Sequence, residues 1–204
     1  WCMAQYNFDT YKKESSPKNR TLLVPKKAGI HSIVTDVEAT TLVRDLVNTP
    51  AEHMGPDQLE EAARSLADEF DASISVITGD DLLNENFPTI HAVGRAASIA
   101  PRLIDLTWGS ENNPKVTLVG KGVCFDSGGL DIKGSAFMRN MKKDMGGAAH
   151  VLGLAQMFMM RKLPIRLRVL IPAVENAISG NAFRPGDIIT TRKGTSVEIG
   201  NTDA

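Results

Sequence analysis

From about residue 30 onward the sequence alternates between helical and strand patterns, and several of its strands carry few polar residues, which restricts the chain to a sheet covered by helices. "DVEATTLVRDLVN" (36–48), with Asp36 as a candidate N-cap, reads as a helix. "GPDQLEEAARSLADEF" (55–70), with proline in its first turn and leucines at 59 and 66, reads as a second. "ASISVI" (72–77) alternates apolar and polar residues as a strand does, and the short "DDLLNEN" (80–86) follows. Next come strands "RLIDLTW" (102–108) and "KVTLVG" (115–120), a long helix through "GGAAHVLGLAQMFMMRK" (146–162) and the strand "RLRVLIPA" (166–173). A hairpin-like pair, "DIITTR" and "SVEIGN", closes around Lys193-Gly194. The class is therefore α/β, without an internal repeat. The opening "WCMAQYNFDTYKKESSPKNR" passes into a polar run with Ser15, Ser16 and Pro17, which is linker composition. Residues 1–30 are accordingly expected to be a linker segment, and residues 31–204 the folded domain.

Composition removes several function classes. With 42% hydrophobic residues in 204 the chain can bury a core, and 23 basic against 24 acidic side chains give no field that would draw nucleic acid or an anionic membrane surface. No apolar run approaches the ~20 residues needed to span a bilayer. Two cysteines, Cys2 and Cys124, make no disulfide framework, and a reducing, cytoplasmic setting is expected.

The chemistry collects in "VGKGVCFDSGGLDIKGSAFMRNMKKDMGGAA" (119–149). In an α/β sheet, loops leaving the carboxyl ends of strands carry free backbone groups and functional side chains. Lys121 directly follows an apolar strand between Gly120 and Gly122, and Asp126 stands beside Ser127-Gly128-Gly129. Asp144 precedes Gly146-Gly147-Ala148-Ala149, where it either caps the long helix or faces the crevice against which these small residues let the helix pack. Asp203 lies just past a strand, in an Asx-turn context. Three aspartates converging without an evident arginine partner repel one another unless protons or cations neutralise them, and carboxylate oxygens suit divalent cations.

Other chemistries lack their frames. "GKG" is not a phosphate loop, "FDSGG" is not a nucleophile elbow, and the four histidines show no ligand spacing. Cys124 reads as a small buried hydrophobe, and "QMFMM" as core packing.

Four blocks, "VGKGVCFDSGGLDIK", "MKKDMGGAAHVLG", "IPAVENAISGNAFRPGD" and "VEIGNTDA", resemble the successive signatures of the leucyl aminopeptidase (cytosol aminopeptidase) family. The resemblance runs from about residue 38 to Ala204. It implies a three-layer α/β/α sandwich around a mixed, largely parallel sheet, and a two-metal exopeptidase that is usually hexameric and acts on peptide substrates. By motif, the metal ligands fall on Lys121, Asp126, Asp144 and Asp203, with Asp126 bridging. The catalytic lysine falls on Lys133 in "LDIK", and Met141 lines the substrate side-chain pocket. Lys121 can ligate only when neutral, which an adjacent dication enforces by competing with its proton. The implied cofactors are two divalent ions, Mn2+ or Zn2+, with bicarbonate in the intact parent. "KGSAFMRN" departs from the commoner family stretch, which has proline after the lysine.

The chain opens on Trp1 and closes at "VEIGNTDA", and is read as part of a catalytic domain. The family pattern continues past Ala204 with a metal-binding glutamate and a bicarbonate-holding arginine. The expected function is therefore that of the intact parent, releasing leucine-like N-terminal residues, while the 204 residues alone are expected to be inactive. The alternative is an inactive remnant serving as a binding or assembly module. The near-zero net charge gives nucleic-acid binding no support.

Overall fold

The computed structural model describes residues 2–13 and 21–204, so the run with Ser15, Ser16 and Pro17 lies outside the described residues. A 3-10 turn, Cys2–Gln5, leads into Tyr6, whose hydroxyl donates to Asp45 Oδ1 at 2.6 Å while the Arg44 guanidinium lies 3.9 Å over its ring. Both partners belong to helix α1, Ile30–Asn48, to which this first segment is therefore pinned.

The sequence placed the start of α1 at Asp36, but the helix begins at Ile30. Asp36 lies inside it and its carboxylate pairs with Arg161. Packing on a second helix outweighs the local capping preference here: Thr35, Ala39 and Leu46 are buried, and Gly153 of that helix admits Val43 and Ala39 where a Cβ would not fit. Helix α2, Pro56–Glu69, buries Leu59, Ala63, Leu66 and Ala67, a stripe at helical spacing. The short α3, Asp81–Asn84, answers the "DDLLNEN" stretch. Helix α4, Pro88–Gly94, was not anticipated from the sequence, although it has proline at its first turn. A single-turn α5, Ser135–Met138, precedes the long α6, Gly146–Met160, in which Met159 is buried and Phe158 packs against the core.

The strands are β1, Ser73–Thr78; β2, Arg102–Trp108; β3, Lys115–Val119; β4, Gly122–Asp126; and β5, Arg166–Asn176. The α/β class holds and the sheet is mixed: β1, β2 and β5 are antiparallel neighbours, and β3 and β4 both run parallel to β5. Val119 pairs with Leu170 and Gly122 with Ala173, one unbroken register. β3 and β4 are thus a single line of strand interrupted at Gly120 and Lys121. The loop expected directly after Gly120 instead leaves after Asp126. The predicted hairpin is present as β6, Ile188–Thr190, and β7, Ser196–Glu198.

Leu167, Val169, Ile171 and Ala173 alternate along β5 toward the face covered by α2 and α6, where they meet Ile104 and Leu106 of β2 in the core. On the opposite face Arg168 is exposed and pairs with Asp105 at 2.6 Å, so this part of the sheet carries charge rather than a second apolar layer. Among the described residues no helix is long and apolar enough to cross a membrane.

Glu60 joins α2 to the sheet. Its carboxylate meets Arg102 at 2.6 Å and Arg64 at 2.7 Å. Burial works to raise the Glu60 carboxyl, but the hydrogen bonds from Arg102 and Arg64 outweigh it and hold the group below its ordinary range. A depressed folded-state value means that the stabilisation is present above the unfolded value of about 4.3 and is lost as pH falls through the lower folded one. Glu60→Gln should therefore cost about 1–3 kcal/mol at neutral pH, because the mostly buried Arg102 loses its charged partner. The deficit should shrink below about pH 4. Urea titrations of both proteins at the two pH values measure it, and a pH-independent difference would remove the ion pair as its cause.

Cys124 is 2% exposed, in the core. Burial, reinforced by the charges of Glu175 and Asp57, pushes its thiol up to about 12. It behaves as the small hydrophobe the sequence suggested. Thiol titration of native protein should modify Cys2, which is partly exposed, and reach Cys124 only in denaturant. Rapid native labelling of both would contradict the buried placement.

Candidate functional site

The interruption between β3 and β4 turns Lys121 out of the sheet. Gly120 N still donates to Leu170 O at 3.0 Å, but the Lys121 carbonyl accepts from Ala148 N at 2.8 Å in the first turn of α6. The lysine backbone is thereby fixed to the start of that helix. Asp144 arrives from the 3-10 helix Met141–Met145 that leads into α6, and its Oδ2 lies 2.9 Å from Lys121 Nζ. It does not cap α6: the N-cap position is Met145, and no side chain bonds there. The Lys121–Asp144 approach satisfies an ion-pair distance without hydrogen-bond geometry, so Asp144 Oδ2 is buried with no hydrogen-bond donor among the described residues. Lys121 Nζ also donates to the Ala204 carbonyl.

Asp126 ends β4 and is 1% exposed. Its Oδ1 accepts from Gly128 N at 2.8 Å and from Asn176 Nδ2 at 2.7 Å, while its Oδ2 lies 3.4 Å from Lys133 Nζ. Gly128 (φ 89°) and Gly129 (φ 65°) take left-handed conformations that fold the loop back, and Lys133 N donates to Ser127 O at 2.9 Å. Lys133 Nζ then reaches Asp203 Oδ2 at 2.5 Å. Thr202, fully buried, fastens the two segments: its N donates to Asp131 Oδ2 at 2.9 Å, and its hydroxyl donates to Gly128 O at 2.7 Å and accepts from Asp131 N at 2.9 Å.

The charges follow from these contacts. Burial pushes the Asp126 carboxyl up, and a hydrogen bond shared with Asp203 adds to this against the pull of Gly128, Asn176 and Lys133. The Lys133 hydrogen bond, followed by the one from Asp126, holds Asp203 below the usual carboxylate range. The same Asp203 bond pushes Lys133 up, so Lys133 is a firm ammonium at neutral pH.

The predicted residues thus gather into a Lys121–Asp144 pair and an Asp126–Lys133–Asp203 group, joined through the Lys121 contact with Ala204. Met141 opens the 3-10 helix that carries Asp144 and is partly buried. Of the histidines, His53 bonds Tyr11, His91 bonds Asp80 and His150 bonds the Gly146 carbonyl, so none of these three bonds is made to one of these acids. Among the described residues no three His, Cys, Asp or Glu side chains stand close enough to hold a metal ion by themselves. A dication here has to draw on a lysine nitrogen as well as carboxylate oxygens. The donor set fits one on that condition: Asp144 has a buried oxygen lacking a donor, and an ammonium bridges Asp126 and Asp203 where positive charge is needed.

Sequence reasoning missed Asn176 and Thr202. Asn176 ends β5 directly opposite Asp126, and an amide at a strand's carboxyl end was its only signal. Thr202 had none beyond its place before Asp203.

Residues 41–204 match the model of the cytosol aminopeptidase family, catalytic domain. The chain is 39% identical to a probable cytosol aminopeptidase of Syntrophotalea carbinolica over 99% of its own length and 44% of that relative. It superposes on the crystal structure of cytosol aminopeptidase from Coxiella burnetii with a TM-score of 0.94 at 53% identity, again covering 99% of this chain and 44% of that one. The bottromycin maturation enzyme BotP in complex with Mn gives a TM-score of 0.90 at 36% identity over the same shares. The chain therefore spans less than half the length of these relatives.

Proposed function

The chain belongs to the cytosol aminopeptidase family, and from that premise we propose that its protein is a two-metal aminopeptidase that releases N-terminal residues, leucine-like ones preferred, from peptides. The observation that carries this reading is the crevice itself: Lys121 with Asp144, beside Asp126 and Asp203 bridged by Lys133. Lys121, Asp126 and Asp144 would hold one ion, and Asp126 with Asp203 the other. Bound Mn2+ or Zn2+ supplies Lewis acidity to the scissile carbonyl and to water.

The side chains do the rest. Lys133 keeps its proton and offers a fixed positive charge to the oxyanion that develops on the substrate carbonyl. Lys121 would offer its side-chain nitrogen to the first ion, beside the Asp144 carboxylate. Asp126, held from behind by Gly128 and Asn176, presents its remaining oxygen to the crevice. Met141 would line the pocket for the substrate's first side chain, where an apolar wall discriminates by about 1–3 kcal/mol per methylene. The assembly is proposed to be a homo-hexamer in the cytoplasm.

The gene product containing these residues, stripped with chelator and reloaded with Mn2+ or Zn2+, should release leucine from leucyl amide and leucyl peptides. Activity should vanish on stripping and return on reloading. Absence of metal-dependent release from a folded, reloaded preparation would overturn the reading.

A further inference from the structure

Asn176 is 1% exposed, at the point where the sheet delivers Asp126. Its two N–H bonds go to different segments: one donates to Asp126 Oδ1 at 2.7 Å and the other to the Thr202 carbonyl at 2.8 Å. These partners fix the amide's orientation, because reversal would set its oxygen against a carboxylate and a carbonyl with no donor between them. In the orientation adopted, Asn176 Oδ1 is buried with no hydrogen-bond partner among the described residues. A side chain kept for packing alone has no reason to carry that cost, since an apolar residue would avoid it.

The two bonds have separate consequences. Gly128 N and Asn176 together occupy Asp126 Oδ1, so Oδ2 is the oxygen turned toward Lys133 and the crevice. The bond to Thr202 holds the backbone of the residue before Asp203. One amide on a third segment thus sets the rotation of one carboxylate and the approach of the other.

We propose that Asn176 is a positioning residue that holds Asp126 and Asp203 at the spacing a shared dication requires; the inference rests on the metal-binding reading above. Residues supporting metal ligands in this way typically change affinity 10–100-fold when removed, about the size of effect expected here.

The test is calorimetric titration of the stripped gene product with Mn2+, in wild type, Asn176→Ala and Asn176→Leu, each below its melting temperature. Leucine keeps the branching of the amide and removes both donors and the unpaired acceptor, so it carries the test if the alanine variant fails to fold. The expected result is a loss of about 10–100-fold in affinity for the ion held by Asp126 and Asp203. The ion held by Lys121, Asp126 and Asp144 should change less, because two of its three ligands are placed without Asn176: the Lys121 backbone is fixed by α6 and Asp144 by the 3-10 helix before it. Unchanged affinities in a folded variant would overturn the inference, whatever happens to the melting temperature, and leave the metal-binding reading standing. Failure of both variants to fold would overturn it too, by assigning Asn176 to the fold alone. A wild type that binds no Mn2+ would sink the metal-binding reading and this inference with it.

Discussion

Lys133→Ala should lower kcat by about 10²–10³-fold while leaving the protein's metal content unchanged. Lys133 Nζ stands 2.5 Å from Asp203 and 3.4 Å from Asp126, and its proton is held chiefly by the Asp203 bond. An ammonium so held cannot lend a lone pair to an ion, but it can stabilise negative charge that appears only as the carbonyl is attacked. Its removal acts on the transition state more than on substrate binding, so kcat should fall with KM nearly constant. Lys121 differs: it lies 2.9 Å from Asp144, whose buried oxygen lacks a donor, and Lys121→Ala should lower metal content along with activity. Elemental analysis after dialysis, beside steady-state kinetics, separates the two duties. Equal metal loss from both variants would refute the division of labour.

What the sequence disclosed about this site, and what it withheld, divides along local and non-local lines. Lys121, Asp126, Asp144 and Asp203 stand beside glycines or at strand ends, and such punctuation is visible in a few consecutive residues. The stripe of α2 and the hairpin of β6 and β7 are likewise local patterns, and both are present. β4 was not legible as a strand, because its pairing is decided by Ala173 and Val174 of β5, some fifty residues away. The start of α1 was misplaced for a related reason, since packing against α6 extends it past a good capping residue. Asn176 could not be read as part of the site at all: its significance lies in facing Asp126 across the sheet and Thr202 across a loop, and neither partner is near it in sequence. Side chains that do chemistry carry a type-specific signal, whereas an amide that aims them becomes visible only once the topology is known.

The second large effect is expected at a residue with no side chain. A Cβ built on Gly120 would lie 2.6 Å from Val151 Cγ2, 2.7 Å from the Gly147 carbonyl oxygen and 2.8 Å from Ala148 Cα. The first contact is a movable methyl group, but the other two are backbone of the first turn of α6. Gly147 faces back in the same way: its own Cβ would come within 2.8 Å of Lys121 N. The interrupted strand and the helix start are thus in backbone contact, and this contact places Lys121 beside Asp144. Gly120→Ala has to push the two apart. Overpacking of this kind costs about 1–3 kcal/mol of stability, and a displacement of ~1 Å at a catalytic group costs about 10²-fold in rate. The expected result is a folded protein with a lowered melting temperature, weaker metal binding and kcat/KM down by about that factor. Gly146→Ala is the matched control, since its Cβ would meet nothing within 4 Å at the same helix start, and it should behave as wild type. Wild-type kcat/KM in Gly120→Ala would show that the start of α6 yields without disturbing Lys121, and the close backbone approach would then have no part in building the site.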